Sequence, residues 1–217
     1  MKKFELTNEF VTNMFGTKLF RIRALVEFGD VEAGELGGYV EKESNLGHDD
    51  NAWVYGDARV YDNARVYDNA RVYGDAQVSG DARVYDNARV YGDAWVYGDA
   101  WVYGNALVCG NARVYDNARV YGDAWVYGNA RVCGDALVCG DARVCGNGDY
   151  AYAHGFGSVN RTTTFFRLKD GGVGVRCGCF YGTLAQFRDK IRETHGETKK
   201  AQEYLMLADL MKLRFEK

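Results

Sequence analysis

From Ala52 to Asn147 the chain spells one six-letter unit sixteen times without a gap. Val stands at every sixth position from Val54 to Val144, and Ala stands two residues before each, from Ala52 to Ala142. The unit closes with Gly-Asp, Gly-Asn or Asp-Asn. In an extended chain, residues two apart point to the same side. Ala and Val therefore share one face, and the two variable letters between and after them share the other. Gly, Asp and Asn are the residues that best tolerate the positive φ of a sharp corner. Each unit thus reads as a short strand followed by a bend. A helix is excluded, because a period of six does not match 3.6 and a Gly or Asp-Asn pair every six residues would break it. A meander is excluded as well, since it would reverse direction while every unit keeps the same polarity. A coil that turns the same way at each corner remains, and period-six repeats of this kind mark a parallel β-helix. One unit cannot bury its small Val/Ala face alone; stacking closes the core.

This pattern resembles the hexapeptide-repeat family. The resemblance implies an all-β solenoid, a left-handed triangular parallel β-helix with three units per coil. Sixteen units then make about five regular coils plus one side, roughly 25 Å tall at about 4.8 Å per coil, with irregular coils at the ends. The flanks carry the resemblance further. "RIRALVEFGDVEAGELGGYVEKESNLGHDDNAWV" and "NRTTTFFRLKDGGVGVRCGCFYGTLAQFRDKIRETHGETKKAQEYL" are similar to segments of hexapeptide proteins from prophages and gut bacteria that carry a transferase label. That label rests on the repeat alone.

An open coil exposes unpaired backbone at both ends, so caps are expected there. Residues 1–51 are read as capping strands with an irregular first coil: a strand over Lys18–Leu25 after a turn at Phe15-Gly16-Thr17, then Leu36–Val40. Residues 52–147 are the β-helix. Residues 148–217 are read as a small α/β cap. Continuing the six-residue grid puts Tyr150 and Phe156 in Val slots, and Gly148 and His154 in inward-facing Ala slots. A hairpin of Thr162–Lys169 and Val173–Phe180 follows, turning at Asp170-Gly171-Gly172. Thr183-Leu184-Ala185-Gln186 is a capping box opening a helix to about His195, with Gly196 closing it. A second helix over roughly 199–214 carries Tyr204, Leu207, Leu210 and Met211 on one apolar face.

Charge is modest, −3 overall, and uneven: −4 over residues 1–51, −3 over 52–147 and +4 over 148–217. No polybasic arm is present. No run is long and apolar enough for a membrane span, and MKKFELTNEF has no signal-type apolar stretch. Cytoplasmic residence follows as the expectation, and with it six free thiols.

Relatives of known activity are mostly acyltransferases, which the resemblance endows with a catalytic His near a coil and a CoA groove between subunits. This chain has three histidines. His154 and His48 are the weak catalytic candidates, and His195 sits where it can favour a helix C-terminus. An inward-facing His154 reads as a cap residue rather than a base, because a base must reach substrate. Cys109, Cys133, Cys139 and Cys145 replace Tyr at outward positions, and Cys177-Gly178-Cys179 supplies two ligands, short of a zinc set. No cofactor and no metal are expected.

Sorting the outward letters by coil gives three ladders. One carries Trp53, Arg71, Arg89, Leu107, Trp125 and Arg143, with Tyr55, Tyr73, Tyr91, Cys109, Tyr127 and Cys145 beside them. The second carries Arg59, Gln77, Trp95, Arg113 and Arg131. The third carries Arg65, Arg83, Trp101, Arg119 and Leu137. Most Tyr are read as rungs that stack and stiffen the sheet. Leu107, Cys109, Trp125 and Tyr127 form an uncharged patch, read as an interface. Trp53, Trp95 and Trp101, and Tyr204, Leu207 and Met211 on the last helix, complete the expected interface set. Corner aspartates interleave with the arginines, which argues against nucleic acid. The expected function is a non-enzymatic binding or scaffold protein that forms a dimer or trimer. The prophage resemblance suggests an inhibitor of a host defence factor. The alternative is a CoA-dependent acyltransferase using His154 or His48.

Overall fold

The computed structural model describes residues 2–156 and 161–216. Three strands come first: β1 (Phe4–Thr12), β2 (Lys18–Ala24) and β3 (Leu36–Val40). Sixteen two-residue strands follow, β4 to β19, from Trp53–Val54 to Arg143–Val144. They stack into three parallel sheets. β4, β7, β10, β13, β16 and β19 form one face, β5, β8, β11, β14 and β17 the second, and β6, β9, β12, β15 and β18 the third. Each strand pairs with the one eighteen residues on, as Trp101 with Arg119 and Val102 with Val120. This is a parallel β-solenoid. Every Ala and Val of the sixteen units is completely buried, so the interior is one column of small aliphatic side chains.

The corners explain the turn letters. The first residue of the pair has positive φ at every corner from Gly56 to Gly140. At Gly104 a Cβ would lie 2.9 Å from the Gly122 nitrogen of the next coil, which favours glycine there. Asp62, Asp68, Asp86 and Asp116 take the same conformation, with φ of 56–59°. Asp62, Asp86 and Asp116 accept a hydrogen bond from the amide of the coil above, as from Gly104 N–H to Asp86 Oδ2 at 3.1 Å. That bond offsets the conformational strain of a side chain in the left-handed region.

At the N-terminal end β1 and β2 form an antiparallel hairpin, β2 pairs antiparallel with β3, and β3 continues the second face in parallel onto β5. β1 carries no clean alternation in its sequence. Its irregular register between Leu6 and Phe10 obscures the alternation, and the bulge also blunts an exposed edge. Phe4, Ile22 and Val31 close the column at this end, and Leu46 bridges to Val66 on the third face.

At the other end the six-residue grid stops at Val144. Four antiparallel strands follow in order: β20 (Tyr150–Phe156), β21 (Arg161–Arg167), β22 (Val173–Cys177) and β23 (Phe180–Thr183). The expected hairpin is present as β21–β22 within this larger sheet. One side of the sheet plugs the solenoid with Tyr150 and Phe166. The other side, with Phe165 and Val175, holds α1 (Leu184–His195) and α2 (Lys199–Phe215). Thr183 Oγ1 accepts from Gln186 N–H and Gln186 Oε1 accepts from Thr183 N–H, the capping box read from sequence. Because β20 runs antiparallel rather than as another coil, His154 does not point inward. It is exposed, and only Tyr150 of the extended grid reaches the solenoid core.

Candidate functional site

The outer faces carry whatever this column displays, and their register orders them. On the third face Tyr67, Tyr85, Tyr103 and Tyr121 stack in one continuous ladder, ring centroids 4.9–5.0 Å apart and planes within 5°. Tyr73 and Tyr91 stack likewise at 4.8 Å on the first face, and Tyr97 and Tyr115 at 5.0 Å on the second. The rings shield one another: burial pushes the Tyr85 phenol up to about 12. Hydrogen bonding to Cys109, with burial second, does the same for Tyr91. These rungs act as cross-strand stacking.

Arginines clamp the tryptophans. Arg83 and Arg119 lie over the two sides of Trp101 at 5.0 and 4.6 Å, Arg113 over Trp95 at 5.0 Å and Arg143 over Trp125 at 4.3 Å. Trp95 and Trp101 are half-buried by this packing, while Trp125 stays 44% exposed. Leu107 pairs in register with Trp125. With Cys109 and Tyr127, both half-buried, they make a small apolar flank edged by Arg143.

Trp53 does not belong to this surface. It is fully buried in the N-terminal cap, edge-on to Phe28 at 5.3 Å and Phe4 at 6.2 Å. Gly37 leaves room for it: a Cβ there would come within 2.8 Å of the indole. Tyr204, Leu207 and Met211 are likewise buried, because that side of α2 packs on the sheet and α1. Leu210, grouped with them by helical spacing, lies on the opposite side. The exposed apolar groups on α2 are Met206, Leu210 and Leu213, and on the β1–β2 turn Met14 and Phe15. The signal for the helical stripe was in the sequence, in spacings of four and three. It was masked because the buried stripe follows a similar period.

The histidines differ. His48 Nδ1 accepts the Lys3 backbone N–H at 3.1 Å. An amide can only donate, so Nε2 carries the proton and donates to Glu43 Oε1 at 2.8 Å. The ring stacks on Phe4 at 4.5 Å. Both nitrogens are engaged, which leaves no lone pair for a base. A polar depression of about 700 Å³ borders this pair, with Arg65 and Tyr67 on its wall. Exposed His154 has Nδ1 2.9 Å from Thr162 Oγ1 and 3.9 Å from Asp135 Oδ2.

All six cysteines are free thiols. Cys139 is not outward as expected: the cap covers it and burial pushes its thiol up. Cys177 accepts a hydrogen bond from Thr163 Oγ1 at 3.2 Å and lines, with Cys179, Phe180 and His195, a cleft of about 280 Å³ between β22 and the helices. Among the described residues no three His, Cys, Asp or Glu side chains converge as a metal site, and no helix is long and apolar enough to cross a membrane.

The aspartates at the corner after the second face, Asp62, Asp81, Asp99, Asp116 and Asp135, fall into two kinds. Asp62 and Asp116 hold the positive-φ position and bond to the coil above, whereas Asp81, Asp99 and Asp135 occupy the second corner position.

Comparison with known proteins agrees with this geometry. A family model described as YdcK beta solenoid repeat matches residues 64–80, 76–88, 82–98, 112–128 and 124–140. No curated protein matches the chain. All five matched stretches lie inside the run of rungs, and the middle of this chain is therefore a β-solenoid repeat array, similar to the YdcK repeat.

Proposed function

We propose that this is a non-enzymatic binding or scaffold protein of the cytoplasm, where its thiols stay reduced. The solenoid is a rigid frame that self-associates and presents one flank to a protein partner. One observation carries the reading: the interior is fixed to Ala and Val while the outside holds register-locked ladders, with Trp125 left 44% exposed beside Leu107. Exposed aromatic groups on rigid supports are the usual anchors of protein recognition. The finer reading is a phage-derived inhibitor that engages a host protein, a defence factor. Neither a cofactor nor nucleic acid enters it. The test is capture of a host protein from lysate by wild type and by Trp125→Ala. A partner that wild type retains and Trp125→Ala loses, with the fold intact by circular dichroism, supports this reading. Equal retention by both removes this flank.

The exposed His154, with Thr162 and Asp135 on its Nδ1 side, favours a second reading: acyl transfer from CoA with Nε2 as base. Calorimetric titration with acetyl-CoA separates the two. Binding that His154→Ala abolishes, together with acyl turnover, would replace the scaffold reading.

A further inference from the structure

The C-terminal helix α2 is apolar on two sides. Its inner side is buried against the cap sheet and α1. Its outer side carries Met206, Leu210 and Leu213, exposed by 72, 57 and 69%. Spacings of four and three place these three within one narrow stripe along the axis, the seam geometry of paired helices. Nothing within the chain covers it among the described residues.

We infer that this stripe is the surface through which two copies of the chain pair, α2 against α2, antiparallel about a two-fold axis. The inference rests on the self-association proposed above and names its surface. The occupant and its direction follow from charge. Glu203 and Arg214 flank the stripe on the same side, eleven residues apart, about 16 Å along the helix. Among the described residues neither has a strong partner in its own chain. Glu203 meets Lys199 only at 4.0 Å, and Arg214 donates only to the Asn147 carbonyl at 3.3 Å. A parallel pair would set Glu203 against Glu203 of the partner subunit. An antiparallel pair sets Glu203 against Arg214 of the partner subunit, twice, by symmetry. The same register brings Met206 between Leu210 and Leu213 of the partner subunit. On the other flank Asp209 comes near Asp209 of the partner subunit, and each is already neutralised by an Arg188 from α1. Three side chains per copy make a small interface, so the dimer is concentration-dependent.

The experiment is sedimentation equilibrium of the full chain across a hundredfold concentration range, with circular dichroism as the fold check. Leu210 is exposed, so Leu210→Asp keeps the fold. Wild type is expected to dimerise and Leu210→Asp to stay monomeric throughout. Glu203→Arg and Arg214→Glu should each weaken the dimer at least tenfold, and the double swap should restore it. Single swaps without effect overturn the antiparallel pairing. A dimer that survives Leu210→Asp and is lost in Leu107→Asp overturns this seam but leaves self-association standing. A wild type that is monomeric at every concentration ends both.

Discussion

Replacing Val102 by Ala tests the interior column at its middle. Val102 is completely buried and pairs in register with Val84 below and Val120 above. Losing two methyl-sized groups removes about 1.6 kcal/mol of transfer free energy, at roughly 0.8 kcal/mol each. The neighbours cannot close the gap, because their backbones are pinned on rungs: Tyr85 N–H donates to the Val102 carbonyl at 3.1 Å and Tyr103 N–H to that of Val120 at 3.0 Å. A residual void of about 50 Å³ then adds ~1 kcal/mol at about 24 cal/mol per Å³. The expected loss is about 2–3 kcal/mol. Arg89→Ala, on an exposed outward position, should cost no more than ~0.5 kcal/mol. Urea titration gives both values from midpoint and slope, provided far-UV circular dichroism and tryptophan fluorescence report coincident transitions. A Val102→Ala loss below ~0.5 kcal/mol, or one smaller than that of Arg89→Ala, would refute the inward assignment of Val and with it the whole architecture.

At the corners, Asp86→Ala forfeits the bond to Gly104 N–H and leaves a Cβ at positive φ as before, a loss of about 1 kcal/mol. Asp86→Gly also forfeits the bond but relieves about 1 kcal/mol of left-handed strain, so it should melt close to wild type and above Asp86→Ala; the reverse order of the two variants would deny that φ selects the residue. Alkaline pH should unfold the protein. Phenols such as Tyr85, held up to about 12 chiefly by burial, ionise near 10 once unfolded, so their contribution is intact below pH 10 and is lost as pH rises from 10 through 12. Absorbance at 295 nm should rise together with loss of circular dichroism, and gradual ionisation of a still-folded chain would contradict this. Lys3 has the opposite sign. Burial lowers it to about 8 against 10.5 unfolded, although Asp50 and Asp49 pull it upward, and its ammonium donates to the Ala52 carbonyl at 2.9 Å. Between pH 8 and 10 the unfolded chain binds the extra proton, so stability should rise with pH. Lys3→Met should flatten that rise in a urea series, and an unchanged slope would rule out Lys3 as its source.

The coil and its inward Ala and Val were legible from the period, and the three faces and ladder membership from the resemblance to the hexapeptide-repeat family, because each rung's environment repeats every eighteen residues and is set by its immediate neighbours. The helix boundaries were legible for a similar reason: Thr183 and Gln186 close a capping box within four residues. The ends were not legible. Trp53 occupies an outward slot by spacing, yet the hairpin folding back over the first coil buries it; the cap sheet does the same to Cys139. His154 would face inward if the grid continued, but β20 runs antiparallel to β21 and turns it to solvent. On α2 two apolar stripes compete at helical spacing, and only packing on Phe165 and Phe187 decides which is core. The sequence by itself determined the interior column, whose Ala and Val meet their equivalents one coil away. The tertiary structure decided the positions whose burial depends on distant segments folding back, since no local period encodes which side such a segment will cover.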